Sequence, residues 1–216
     1  MFKKILTENL KKFVFKYTNI GKPNYPYNLD PLQLSEIIIS LEKVKNLDGV
    51  ICEIGVARGM TTRFICEYLN NTNTKTDYYC LDTFNSFTKE DVNFEIENRK
   101  KTHSELFGFS YNNFKRWKKN FNNYEYIKAI EIDVKKFDFK KIKPIKFALL
   151  DVDLYLPTLS ALENLKNNMI TGGILMVDDV SKNNSWDGAD QAFHEFIKKH
   201  SLKFELVGKK CGIIKF

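Results

Sequence analysis

The sequence predicts a single α/β domain: a mostly parallel, seven-stranded sheet with helices on both faces and an antiparallel hairpin at its C-terminal end. Short apolar runs of strand length alternate with longer segments whose apolar residues recur at helical spacing, the order that builds a doubly covered parallel sheet. The last two apolar runs, 204–207 and 212–216, are separated by four residues, enough for a hairpin and too few for a parallel crossover. At 216 residues and 43% hydrophobic content, the chain is long and apolar enough to bury one full core. No repeat, linker or low-complexity tract divides it.

Taken in order, residues 1–30 form a helix and a loop ahead of a domain spanning 31–216. The opening MFKKILTENLKKFVFKY sets Phe2, Ile5, Leu10, Phe13 and Val14 against Lys3, Lys4, Lys11 and Lys12, a basic amphipathic pattern. It predicts a helix that covers the domain or a partner in a homodimer, with peripheral contact to an anionic membrane surface as the alternative. Charges break every apolar run, so the segment does not read as a signal peptide, and no run is long enough to span a bilayer. A Tyr/Pro/Asn-rich loop (21–30) leads to a helix at 32–41. Strands follow at 49–54 and 78–81 around a helix at 61–69, and further strands at 126–132, 145–150 and 173–177. Helices are predicted at 158–169 and 189–199.

Cys52, Cys66, Cys80 and Cys211 form no CxxC pair, and no His stands at metal-ligand spacing from them. They read as free thiols, which suits a reducing cytoplasm. The net charge is +7, and the segment 86–146 holds most of it, with fifteen Lys/Arg against nine Asp/Glu. Such a surface is either a solvated face or an electropositive rim that draws in an anionic substrate. The part from about 86 to 123 is too long for a plain loop and reads as a helical lid insertion between the second and third strands. Phe107, Phe109, Tyr111, Phe114 and Trp117 either enclose a substrate or form the core of that insertion. Lys115, Arg116, Lys118 and Lys119 are candidates to pair with phosphates of an anionic substrate.

In an open parallel sheet, ligands sit beyond the carboxyl ends of the strands, so the chemistry should lie just after each strand. The first strand ends in Glu53-Ile54-Gly55-Val56-Ala57-Arg58-Gly59, followed by Met60, Thr61 and Thr62. Small residues there allow a tight turn and close backbone approach to a ligand. With Ala57 and Met60 in place of glycines, the dinucleotide fingerprint is missing, which disfavours NAD and FAD. The second strand ends in Asp82-Thr83-Phe84. Asp82 is placed to bind ribose hydroxyls, and Phe84 to pack on an adenine face. The fourth strand ends in Asp151-Val152-Asp153 and the fifth in Asp178-Asp179. If the two strands are neighbours, four carboxylates converge and need a cation or proton to offset their repulsion; an oxygen-rich site suits Mg²⁺. His103, His194 and His200 lack a clear partner; His194, on a helix near the acidic strand ends, reads as a partly exposed structural histidine, with a substrate contact as the alternative.

These pieces resemble the macrocin O-methyltransferase family, whose members methylate sugar hydroxyls. The matching segments are EIGVARG (Glu53–Gly59), LDTF (Leu81–Phe84), LDVDLYLPT (Leu150–Thr158), GGILMVDDV (Gly172–Val180) and GADQAFHEF (Gly188–Phe196). The resemblance implies a Rossmann-like, S-adenosylmethionine (SAM)-dependent methyltransferase fold and the transfer of a methyl group to a sugar hydroxyl, in polysaccharide or natural-product biosynthesis. It implies that Asp151, Asp178 and Asp179 hold Mg²⁺ or another divalent cation and that Asp153 is the general base. Glu53, Gly55, Gly59 and Asp82 would bind the cofactor, with Arg58 and Thr61 near its methionine carboxylate. Val152, Leu156 and Pro157 depart from the family pattern, which leaves the acceptor open. Two other readings stand beside it: a catechol-like O-methyltransferase, and a non-catalytic SAM-binding subunit of a glycan-assembly complex. Nothing but the basic pI points to nucleic acid, and no RNA-binding module is present.

Overall fold

A computed structural model describes residues 2–183 and 185–216, with the side chains of Phe2 and Lys3 outside the described set. Its seven strands lie in one sheet in the order β3-β2-β1-β4-β5-β7-β6. β1 (Val50–Ile54), β2 (Tyr78–Asp82), β3 (Ile127–Glu131), β4 (Ile145–Leu150) and β5 (Met169–Val177) pair in parallel. β7 (Cys211–Lys215) joins β5 antiparallel and forms the closing hairpin with β6 (Glu205–Val207). The strand order reverses between β1 and β4, so a crevice opens beyond their carboxyl ends. Every residue of β1 and β4 is buried, as two helical layers require.

Two apolar clusters fill those layers. One lies under α2 (Pro31–Val44) and α3 (Met60–Asn71), with Ile37, Leu41, Ile65 and Phe147 in it. The other lies under α6 (Tyr155–Lys166) and α7 (Asp187–His200), with Leu162, Phe193 and Phe196. The insertion holds α4 (Lys89–Arg99) and α5 (Phe114–Asn120), and two short 3₁₀ turns join β3 to β4. All four cysteines are free and buried. No helix among the described residues is long and apolar enough to cross a membrane.

Two boundaries differ from the sequence reading. α6 begins at Tyr155 and carries Pro157 in its first turn, where a missing N–H costs nothing, instead of starting after the proline. β5 begins at Met169, so the helix ends earlier than its apolar spacing implies. Of the covers expected for the N-terminal α1 (Phe2–Tyr17), this chain's own domain drops out, because Ile5, Leu6, Leu10, Phe13 and Tyr17 are exposed. The loop before α2 does join the domain, with Leu29 buried and Tyr27 packed edge-on against Phe64.

Candidate active site

A cleft at the topological switch gathers the strand ends. Gly55, Ala57, Asp82, Asp151, Asp153, Asp178 and Asp179 all line it. Each is delivered by a turn that the sheet forces. Gly55 leaves β1 at φ +84°, and a Cβ there would sit 1.7 Å from the Asp151 carbonyl oxygen. Only glycine lets the β1 turn pass so close to the end of β4. The amides of Val56 and Ala57 donate to Asp82 Oδ2 at 2.8 and 2.9 Å, and Phe84 N donates to Oδ1 at 2.6 Å. Asp82 thereby pins the β1 and β2 turns together while still facing the cleft. Burial lifts its carboxyl above the ordinary range, against the pull of those N–H groups.

The remaining residues expected at the cofactor are placed differently. Arg58 is exposed and donates to the Pro26 carbonyl at 3.3 Å, and Thr61 is half-buried on α3; neither lines the cleft. Gly59 and Phe84 face the core under the insertion. Phe84 meets Phe114 and Trp117 at centroid distances of 4.9 and 5.4 Å and does not line the cleft. A Cβ on Gly59 (φ +89°) would strike the Phe121 ring at 2.6 Å. Glu53 is 1% exposed, and its Oε2 accepts from the hydroxyls of Thr62 and Tyr78.

Burial pushes the Glu53 carboxyl up to about 7, with the Tyr78 and Thr62 hydroxyls opposing. An acid whose folded pKa is raised binds its proton more tightly folded than unfolded, so it lowers stability as pH climbs from the unfolded value toward 7. Glu53→Gln is therefore expected to stabilise the protein by up to about 3 kcal/mol at about pH 8 and by almost nothing below about pH 5. Urea unfolding at the two pH values reads the difference, and equal effects at both would contradict it.

The four aspartates do converge. Oxygens of Asp151, Asp153 and Asp179 lie within 4.8 Å of one another. Asp153 and Asp179 sit at φ 63° and 61°, in the left-handed region where Asp is one of the few tolerated residues; backbone strain of this sort gathers at functional sites. Burial first, and then the neighbouring acids, hold Asp151 and Asp153 well above the ordinary carboxylate range, and Asp178 moves the same way. Asp178 stands apart from the trio in its bonding: Gln33 Nε2 donates to its Oδ1 at 2.6 Å and Lys210 Nζ to its Oδ2 at 3.0 Å. Lys210 also reaches Asp179 Oδ1 at 2.7 Å.

Neither Gln33 nor Lys210 stood out in the sequence. Gln33 is N3 of α2 and shares a capping box with Asp30, so the signal for it was a helix start, not a site. Lys210 is one lysine in a lysine-rich chain. It comes to the site because the β6–β7 turn folds back, fixed by the bond from Val180 N to the Lys210 carbonyl at 2.8 Å.

The insertion divides in two. Phe87 and Phe109 line the cleft with Trp186 and form an aromatic wall, Phe87 lying 5.4 Å from Trp186 and 5.6 Å from Phe109. Trp117 is buried as core, Phe114 packs against that core, and Phe107 and Tyr111 are exposed. Lys115, Arg116, Lys118 and Lys119 are exposed on α5 and do not line the cleft, whose one basic lining residue among those described is Lys210. α4 is fixed in place: buried Glu95 accepts from Tyr155 N at 2.7 Å, capping α6, and from Arg99 Nε at 2.7 Å, while Arg99 also meets Asp187 at 2.8 Å. Of the histidines, His194 lies on α7 beside Asp190, His200 pairs with Glu163 and His103 is exposed.

A switch-point cleft with a glycine turn, an acid ending β2 and an acidic cluster ending β4 and β5 is where an open α/β sheet binds its ligand, and the family match makes it the site of a SAM-dependent O-methyltransferase. The sequence matches the macrocin-O-methyltransferase (TylF) family over residues 17–209, and the chain belongs to that family. Among solved structures it is similar to the O-methyltransferase NovP, with TM-score 0.68 and 20% identity over 85% of this chain and 78% of that one. It is also similar to CalS11, a calicheamicin methyltransferase, with TM-score 0.70 and 16% identity over 99% and 93% of the two chains. A second, apo structure of CalS11, described as a TDP-rhamnose 3'-O-methyltransferase, gives TM-score 0.62 and 17% identity over 99% and 94%. At these identities the likeness concerns the fold. No curated protein sequence matches the chain.

Proposed function

We propose that the chain methylates a hydroxyl of a sugar, free or nucleotide-linked, with a divalent cation such as Mg²⁺ at the acidic centre. The observation that carries this is the trio of acid oxygens within 4.8 Å, at the end of the cleft that also reaches Gly55 and Asp82. Its donors are all carboxylate oxygens, the set a hard divalent cation takes, and their mutual repulsion asks for positive charge. The CalS11 description as a TDP-rhamnose methyltransferase supports a nucleotide sugar as acceptor.

In this reading Asp151 and Asp179, two of that trio, hold the cation together with Asp178, as the family resemblance implies, and Asp153, the third of the trio, takes the proton from the acceptor hydroxyl. The cation, when bound, supplies Lewis acidity that lowers the pKa of that hydroxyl. Asp153 suits its role because the turn at φ 63° aims its carboxylate into the cleft beside Asp179. The Asp82 hub orders the two turns that would face the methyl donor, and the Phe87–Phe109–Trp186 wall excludes water. The match to the macrocin-O-methyltransferase family favours a sugar over a catechol.

Methyl transfer from labelled SAM to a panel of free sugars, nucleoside diphosphate sugars and catechols tests the acceptor. We expect transfer to a sugar and none to a catechol; the reverse would overturn the sugar assignment. Chelation should abolish turnover and added Mg²⁺ should restore it. Full activity in excess chelator would remove the metal from the proposal.

A further inference from the structure

We propose that Lys210 is a built-in competitor of the divalent cation: its ammonium occupies Asp178 and Asp179, and it must withdraw for both to become ligands. The proposal rests on the metal reading above and adds to it. The ammonium lies 3.0 Å from Asp178 Oδ2 and 2.7 Å from Asp179 Oδ1, so one side chain engages both acids that end β5. Both oxygens of Asp178 are engaged, because Gln33 Nε2 donates to the other at 2.6 Å. A cation using Asp178, or Oδ1 of Asp179, therefore meets an oxygen that already accepts a hydrogen bond, and at either acid it meets a like charge within ion-pair distance.

The rest of the site gives Lys210 a reason to be there. Asp153, Asp178 and Asp179 are 9%, 3% and 2% exposed, and buried carboxylates this close cannot all remain charged without a counter-charge. Among the described residues Lys210 is the one basic side chain lining the cleft. It is also free to leave: its side chain is 27% exposed, it sits on a hairpin turn, and its four-carbon stem allows the head to swing toward solvent while the backbone stays bonded to Val180. With the ammonium in place the acidic centre is held together without metal. With a divalent cation bound, the same ammonium is released at the cleft wall. The centre is thus tuned to load the ion weakly and reversibly.

The test is direct binding of Mn²⁺ to the full chain, read by the loss of its free electron paramagnetic resonance signal, in wild type and in Lys210→Met. Removing one positive charge at this distance should tighten Mn²⁺ binding by about tenfold or more. The metal-free variant should melt below wild type and gain more thermal stability from Mn²⁺ than wild type gains. Lys210→Arg, which keeps the charge, should bind Mn²⁺ no more tightly than wild type, and Asp179→Asn should bind it more weakly, which places the ion at this centre. If wild type binds Mn²⁺ and Lys210→Met binds it equally or less tightly, the competition is wrong while the metal reading stands. If neither protein binds Mn²⁺, the metal reading fails and the competition fails with it.

Discussion

Asp153→Asn is expected to lower kcat for methyl transfer by about 10²- to 10⁴-fold while leaving the fold intact. The substitution keeps the shape of the side chain, and Asn tolerates the φ of 63° as well as Asp does. What it removes is the ability to accept a proton. The four-acid centre also keeps one group fewer to ionise against its neighbours, so the variant should melt no lower than wild type. Steady-state kinetics with labelled SAM, together with a melting curve and a SAM titration, separate the two effects. Wild-type turnover in Asp153→Asn would mean that another group takes the proton.

The second large effect is on the backbone. Gly55→Ala is expected to cost more than about 4 kcal/mol of stability, or to abolish SAM binding in whatever fraction folds. The new methyl would sit 1.7 Å from the Asp151 carbonyl oxygen and 2.6 Å from its carbon, at a φ of +84° that alanine disfavours. No rotamer relieves this, because the clash is between a Cβ and main chain. Relief would require β1 and β4 to part at the point where their ends frame the cleft. Gly108→Ala is the control: a Cβ there has nothing within 4 Å, and its stability should match wild type. Denaturant unfolding of both variants decides the matter, and a Gly55→Ala protein as stable as wild type would show that the turn can be made another way.

The central strands β1, β2, β4 and β5 were legible because each is a short apolar run ended by glycine or aspartate, and because parallel strands buried on both faces need not alternate. The antiparallel end followed from the four residues between the last two runs. The convergence of the β4 and β5 acids was legible for the same reason, since consecutive strands most often lie side by side. What escaped was anything that depends on side-chain direction. Glu53 stands in the glycine motif yet turns into the core toward Thr62 and Tyr78. Phe84 follows the β2 acid yet joins Trp117, not the cleft. Lys210 and Gln33 reach the acids across 32 and 145 residues of sequence, and neither residue type carries a local signal of such a contact. The apolar stripe of α1 was equally visible, but a stripe shows only that a face is apolar, not what lies against it.

The cap that Glu95 places on α6 bears on how this scaffold can be re-engineered. The insertion between β2 and β3 invites transplantation, because its tip faces the cleft and its length sets it off from the sheet. Yet Glu95 belongs to that insertion, while the helix end it satisfies begins two residues after Asp153, and Arg99 ties the same segment to α7. Leu154, the residue at the start of α6, has no side chain to take over the task. A chimera that imports a foreign insertion to change acceptor preference would therefore also leave a helix end unsatisfied next to the proposed base. The graft boundary that respects the chemistry runs after Arg99, so that α4 stays with the host and only the aromatic and basic stretch beyond it is exchanged.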